Sequence, residues 1–231
     1  MISVLTLTYQ RHHLLEEAIQ SYLLQDWKHS QMVIINDSPE VEYVFNHPQV
    51  KIVNLKERFS SVGKKLEYGF TQCVGDWIYR LDDDDLLSPY AKDIVEGYKT
   101  LYPHKDVLRC QKHYFMCHNK YEGLGDSINN GNCYKWNYLK RVGKFIDKSI
   151  GEDNWLTFHN NADIHIGKTG HYSMIYRWGM GTYHISGMGD RPNEEIYEIT
   201  DRTNTESGII YLEPKFKEDY WSQIPESPLF F

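Results

Sequence analysis

Short, nearly unbroken apolar runs alternate along this chain with stretches whose apolar residues recur at helical spacing. Residues 2–8, I-S-V-L-T-L-T, are hydrophobic or β-branched almost throughout, which suits a strand inside a parallel sheet. A loop over 9–13 follows. In 14–24 the apolar positions Leu14, Leu15, Ala18, Ile19, Tyr22 and Leu23 share one helical face, with Glu16 and Glu17 expected in the first turn, where the helix dipole favours acids. A second strand over 31–35 stops at Asn36-Asp37-Ser38-Pro39, a turn built from hydrogen-bonding side chains. The pattern repeats as a strand over 51–55 and a helix over 62–73, with Leu66, Phe70 and Cys73 inward, entered through Ser60-Ser61-Val62-Gly63. Trp77, Ile78, Tyr79 and Leu81 then form a strand that runs straight into Asp82, Asp83, Asp84 and Asp85.

Strand, helix, strand, repeated, predicts an open and mostly parallel α/β sheet. Ligands in such sheets bind beyond the carboxyl ends of the strands. The informative polar clusters, Thr8-Tyr9, Asn36-Asp37-Ser38 and the four aspartates, each stand at such an end. No G-x-G-x-x-G follows the first strand and no G-x-x-x-x-G-K-[ST] occurs, so the two common phosphate-binding loops are not on offer.

Four adjacent carboxylates repel one another by about 1–4 kcal/mol per close pair at surface-like dielectric, and something must offset this. A divalent cation does so economically. Alternation along a strand end would turn Asp82 and Asp84 the same way, and hard oxygen ligands suit Mg²⁺ or Mn²⁺. A solvated acidic turn is the plain alternative, with Asp85 or Ser88 capping the next helix and Pro89 in its first position. A cap explains one aspartate, not four.

Composition narrows the partners. A net charge of −7 argues against a basic nucleic-acid groove as the main feature. No apolar run approaches a membrane span, and the first residues read as a strand, so the expectation is a soluble, cytoplasmic protein. Cys73, Cys110, Cys117 and Cys133 form no C-x-x-C pair and are read as reduced structural thiols. His113 and His118 beside them fit no zinc spacing.

An ordered set of segments resembles family 2 of the inverting glycosyltransferases: T-L-T-Y-Q-R at 6–11, S-Y-L-L-Q-D-W at 21–27, I-I-N-D-S at 34–38, G-K-K-L-E-Y-G-F at 63–70, G-D-W-I-Y-R-L-D-D-D-D-L-L-S-P at 75–89 and G-E-D-N-W at 151–155. The resemblance covers about the first 160 residues and implies the GT-A fold, a single nucleotide-sugar-binding α/β domain. It places Thr8, Tyr9 and Arg11 after the first strand at the nucleotide pocket, Asp37 at the uracil, and Lys64 and Lys65 in the basic segment that approaches the nucleotide. Asn36 stands where the family more usually has aspartate, and Glu67 replaces an asparagine. Asp82-Asp83-Asp84 matches the D-x-D, with Asp82 and Asp84 as metal ligands and Asp83 at the nucleotide. Glu152-Asp153 matches the E-D pair at the start of a helix that would bury Trp155, Leu156 and Phe158. Asp153 is the expected base, although an acidic helix start by itself is equally a favourable dipole contact. Gly131 to Trp136 would face the acceptor, and His184, in the late His-x-Ser element, would complete the metal shell.

Together these imply a glycosyltransferase domain over 1–188 and an extension over 189–231, rich in proline and aromatics, that packs on the core or mediates self-association. The implied reaction moves a sugar from a nucleotide-diphosphate donor, a UDP-sugar before others, to a hydroxyl of a glycan, a glycoprotein or a modified base, with inversion and a divalent metal. A nucleotidyltransferase is the alternative enzyme class, but it calls for a glycine- and lysine-rich loop where Tyr9-Gln10-Arg11-His12-His13 stands. A nucleotide-sugar-binding module without catalysis is the third reading, against which Asp82, Asp84 and Asp153 weigh.

Overall fold

The computed structural model describes residues 1–126, 129–179 and 206–227. In chain order the first elements are β1 (Ile2–Thr8), α1 (His12–Leu23), β2 (Ser30–Asn36), β3 (Val41–Val44), β4 (Val50–Asn54), α2 (Val62–Thr71) and β5 (Trp77–Arg80). Next come β6 (Leu86–Leu87), α3 (Ala91–Leu101), β7 (Val107–Arg109), β8 (Lys112–Cys117), β9 (Lys120–Asp126), β10 (Cys133–Lys135) and α4 (Trp136–Val142). The last are α5 (Glu152–Phe158), β11 (Ile164–Ile166), β12 (Met174–Trp178), β13 (Gly208–Tyr211) and α6 (Tyr220–Gln223).

Seven strands make the main sheet, in the order β11-β7-β10-β5-β1-β2-β4. Only β10 runs antiparallel to its neighbours there. Successive side chains of a strand face opposite ways, so β1 sends Ile2 and Val4 into one apolar cluster and Leu5 and Leu7 into another. The first cluster takes in α1 and α3, and the second takes in α2, α4 and α5. Burying each large aliphatic side chain contributes about 1.5–3 kcal/mol, which is why these runs lie inside rather than at an edge. The chain passes from β1 to β2 on one side and returns to β5 on the other. The order therefore reverses at β1, and the crevice lies at the carboxyl ends of β2, β1 and β5.

A second sheet, β6-β12-β8-β9, stands beside the first, and β13 pairs in parallel with β3. Three local expectations are corrected here. Helix α1 begins at His12 rather than residue 14, because its first free amide, His12 N–H, donates to Glu206 Oε1 at 3.0 Å, a cap that arrives from far along the chain. That start puts Glu16 and Glu17 beyond the first turn, and Glu17 is fully buried opposite Arg177. The aspartates do not run into a helix. Leu86-Leu87 pairs with Met174 and Ile175 of β12, and α3 starts only at Ala91 with Tyr90 before it, so neither Asp85 nor Ser88 is its N-cap residue and Pro89 is not its first position. The segment expected over 189–231 as an extension that packs on the core or mediates self-association includes the short elements β13 and α6, with Leu212 and Tyr220 buried.

The burial of one histidine predicts that the fold loses stability in acid. His113, on β8, is 6% exposed, and its Nδ1 has no hydrogen-bond partner. Burial first, with Lys112 assisting against Asp126, lowers its pKa to about 4. A depressed value means that the unfolded chain takes up this proton at higher pH than the folded one. The stabilising contribution is therefore complete above the ordinary histidine range and is lost as pH falls towards 4, up to about 3 kcal/mol in all. His113→Leu should flatten the fall in melting temperature between pH 6.5 and pH 4. An unchanged slope in that variant would assign the acid sensitivity to other groups.

Candidate active site

Each strand end at the crevice supplies one part of the site. After β1 the chain turns through Gln10, at a positive φ of 49°, and presents Arg11. The Arg11 guanidinium reaches Asp83, through Nε at 3.2 Å and a second, shorter contact from Nη2, and Asp84 through Nη1 at 3.0 Å. Burial alone would lower the pKa of Arg11, but Asp83, Asp84 and Asp82 together raise it. The guanidinium is thus held as a cation. Tyr9 lies beneath Arg58, whose guanidinium carbon stands 4.1 Å from the ring centroid.

After β2, buried Asp37 accepts the Phe59 amide at 3.1 Å and pairs with Lys65, which also donates to the Thr8 carbonyl at 2.6 Å. Lys65 comes from the first turn of α2, where Ser61 caps the helix by accepting from Lys64 N–H. Its burial lowers the ammonium pKa, and Asp37 opposes that shift. Thr8, Asp37 and Lys65 therefore form one connected group across three elements. Lys64 does not join it, because its ammonium bonds Glu67 at 2.8 Å and the Phe145 carbonyl at 3.1 Å.

β5 ends at Arg80, and the aspartates form a turn rather than a continued strand, so strict alternation does not govern them. Four carboxylates fit here because each has a counterpart, Arg11 serving two of them. Asp82 meets Arg80 at 3.1 Å, Asp83 and Asp84 meet Arg11, and Asp85 accepts from Asn130 Nδ2 and from Arg177 N–H at 2.9 Å. Negative charge nonetheless remains in excess. Burial raises the carboxyl of Asp83 to about 6, Asp84 reinforcing it against Arg11, and burial followed by Asp84 and Asp82 raises Asp85 well above the usual range. One oxygen each from Asp82, Asp84 and Asp85 lies within 4.8 Å of the others, an all-oxygen set that fits Mg²⁺ or Mn²⁺. Asp85 joins this group, where Asp82 and Asp84 were expected together with His184. His184 lies outside the described residues.

The second part of the site begins at Gly151, whose positive φ of 71° admits the chain to α5. Glu152 and Asp153 follow in the first turn and meet Arg80, Glu152 at 3.5 Å and Asp153 in a closer ion pair. Burial raises the Glu152 carboxyl above its ordinary value, against the pull of Arg80. Asp153 has its Oδ2 on Arg80 and its Oδ1 without a hydrogen-bond partner. Phe158, expected inside, is 49% exposed beneath Arg109, because the one-sided face of this short helix is filled by Leu156. At Gly131, φ +84°, a Cβ would meet Met174 Sδ at 2.9 Å and Tyr79 Oη at 3.2 Å, so the close packing here requires glycine.

Arg80, Asn130 and the pair Glu17–Arg177 were not foreseen as parts of the site. The available signal was a charged residue inside an otherwise apolar pattern, at the end of W-I-Y-R, on the inward face of α1 and within M-I-Y-R-W.

With this geometry in view, the comparisons are specific. The profile of glycosyl transferase family 2 matches residues 3–122, more than half of the 231 residues, and the chain belongs to that family. Among solved structures, S. aureus TarS 1-349 in complex with UDP-GlcNAc is similar over 86% of this chain and 64% of its own, at 18% identity and a TM-score of 0.66. The same protein in complex with UDP gives 17% identity and a TM-score of 0.61 over 76% of this chain and 60% of its own. Mannosyltransferase PcManGT from Pyrobaculum calidifontis, in complex with GDP-Man and Mn2+, gives 15% identity and a TM-score of 0.60 over 90% of this chain and 65% of its own. The chain thus spans less than two thirds of the length of each. No curated protein matches it. The fold is the GT-A α/β fold expected from the sequence. Among the described residues no helix is long and apolar enough to cross a membrane.

Proposed function

We propose that the protein transfers a sugar from a nucleotide-diphosphate donor, a UDP-sugar before others, to an acceptor hydroxyl, with inversion and with a divalent metal. The observation that carries this reading is the meeting, at one rim of the sheet, of a cationic arm on an aspartate turn and, across Arg80, a carboxylate pair on another helix. Asp37, with Lys65 and Thr8 behind it, presents a fixed polar edge suited to a nucleobase. Tyr9, under Arg58, offers a flat apolar face beside it. Asp82, Asp84 and Asp85 would hold Mg²⁺ or Mn²⁺, which when bound supplies positive charge to the diphosphate leaving group.

Arg11 can turn from Asp83 and Asp84 to phosphate oxygens, for which its planar fork is equally suited. Asp153 is the base in this reading. Its carboxylate, 19% exposed, accepts the hydroxyl proton while the hydroxyl oxygen attacks the anomeric carbon, and the bond to the diphosphate breaks on the opposite face. Glu152, deeper and with its carboxyl raised, shapes the pocket rather than taking the proton. Asp83, bound on both oxygens by Arg11, holds that arm in place. UDP in a complex of TarS and GDP-Man in one of PcManGT support a nucleoside diphosphate sugar as donor class. Glycans, glycoproteins and modified bases all present the required hydroxyl.

Calorimetric titration with UDP and then GDP, each with Mn²⁺ and with chelator, tests the donor side. UDP should bind only with metal, and Asp84→Asn should weaken it about 30-fold, since a charged ligand to the metal is lost. Tight binding retained in that variant would remove the metal assignment. Silence of both nucleotides in every condition would remove the donor assignment.

A further inference from the structure

Arg80 occupies a position that the strand pattern gives to the core, and its side chain is 5% exposed. A buried guanidinium persists only where carboxylates surround it. Its Nη2 stands 3.1 Å from Asp82 and 3.5 Å from Glu152, and Nη1 pairs with Asp153. Asp82 belongs to the aspartate turn after β5, whereas Glu152 and Asp153 belong to α5. One side chain therefore touches both ends of the site. The backbone fixes it further, because Arg80 N–H donates to the Asn132 carbonyl at 3.0 Å and the Arg80 carbonyl accepts from Gly131 N–H at 3.0 Å.

We propose that Arg80 is a positioning residue that couples the two halves of the site, orienting the Asp153 carboxylate towards the acceptor while serving as the internal counter-cation of Asp82, in competition with a divalent ion. The inference rests on the glycosyl-transfer reading above. Two properties of the guanidinium are used at once. Its planar fork spans carboxylates on two elements, which the single ammonium of lysine does not do, and its charge offsets the aspartate turn.

These two properties separate by substitution. Arg80→Met removes the positive charge beside Asp82 and leaves the turn more negative, so Mn²⁺ titrated without nucleotide should bind about tenfold tighter than to the unaltered chain. General damage to the site would weaken that binding instead. Arg80→Lys keeps the charge but loses the fork. Its Mn²⁺ affinity and donor KM should stay within about threefold, whereas kcat for transfer should fall about 30-fold as Asp153 loses its fixed orientation.

Both variants are measured in the full chain, with circular dichroism to confirm folding. A folded Arg80→Met chain that binds Mn²⁺ no more tightly, or an Arg80→Lys chain with unaltered kcat, overturns the coupling. Should Arg80→Met not fold, the split between kcat and KM in Arg80→Lys decides alone. Failure of the underlying reading shows differently: the unaltered chain would bind no UDP and transfer no sugar, while the Mn²⁺ titrations would still report on Arg80.

Discussion

Asp153→Asn should lower kcat for sugar transfer about 10³-fold and leave the affinity for UDP with Mn²⁺ within about threefold of the original. The amide is nearly the same size as the carboxylate, so the helix start is preserved, but it cannot accept a proton at neutral pH. Arg80 would lose one ionic partner and keep Asp82 and Glu152. The proposed donor side, built on Asp37, Lys65, Arg11 and the aspartate turn, meets Asp153 through that shared arginine. A selective loss of turnover is therefore the signature of a base, and a parallel loss of nucleotide binding would be the signature of a collapsed site. The comparison variant is Glu152→Gln. Glu152 is buried, and burial already favours its protonated form, so the neutral amide should cost turnover much less than Asp153→Asn does. If the two variants change places, Glu152 is the base and Asp153 the residue that orients it. Turnover close to the original in both would remove α5 from the chemistry.

The frame of this site was legible because hydrophobic pattern and strand ends are local properties. β1, β2, β4 and β5 are short apolar runs, and the polar residues that close them are where a sheet of this kind binds ligands. What stayed hidden depends on partners far away in the chain. Nothing near residues 41–44 announces that β3 pairs with Gly208–Tyr211, and nothing near His12 announces that Glu206 caps its helix. The aspartates show both sides of this. Their repulsion was readable and a cation was the expected remedy, yet Arg11 and Arg80 supply part of it from inside the protein, and only their meeting in space reveals that. Arg80 itself stood in plain view at the end of W-I-Y-R. It stands within a run of apolar residues whose strand is buried, and the identity of the residue requires a buried counter-charge that no local rule could name.

Glu17 carries the same lesson into stability. It shares a helical face with Leu14, Ala18 and Ser21, all buried, so its carboxylate lies inside the protein. Glu17 and Arg177 are both fully buried, with Oε2 2.6 Å from Nη1. The other oxygen accepts from Lys217 N–H at 2.9 Å and from the Tyr220 hydroxyl at 2.7 Å, and Arg177 in turn donates to Asp85 Oδ1 and to the Asp84 carbonyl. A single pair therefore ties α1, β12, the segment around α6 and the aspartate turn to one another. Glu17→Ala leaves a guanidinium buried without its counter-charge and should cost about 3–5 kcal/mol, or about 10 °C in melting temperature for a chain of this size. A loss below about 1 kcal/mol would mean that water or another carboxylate reaches Arg177. The double replacement Glu17→Met with Arg177→Met separates burial from specificity. Replacing both charges by apolar side chains of similar volume is often neutral, so most of the stability should return. Mn²⁺ affinity should not return with it. Methionine keeps the main-chain N–H that Asp85 accepts but has no Nε to hold the Asp84 carbonyl, and Asp84, one of the three residues proposed for the metal, is placed by that hold. A double variant that regains both would show that the pair serves packing alone, and one that regains neither would show that the charges themselves organise the core between α1 and β12.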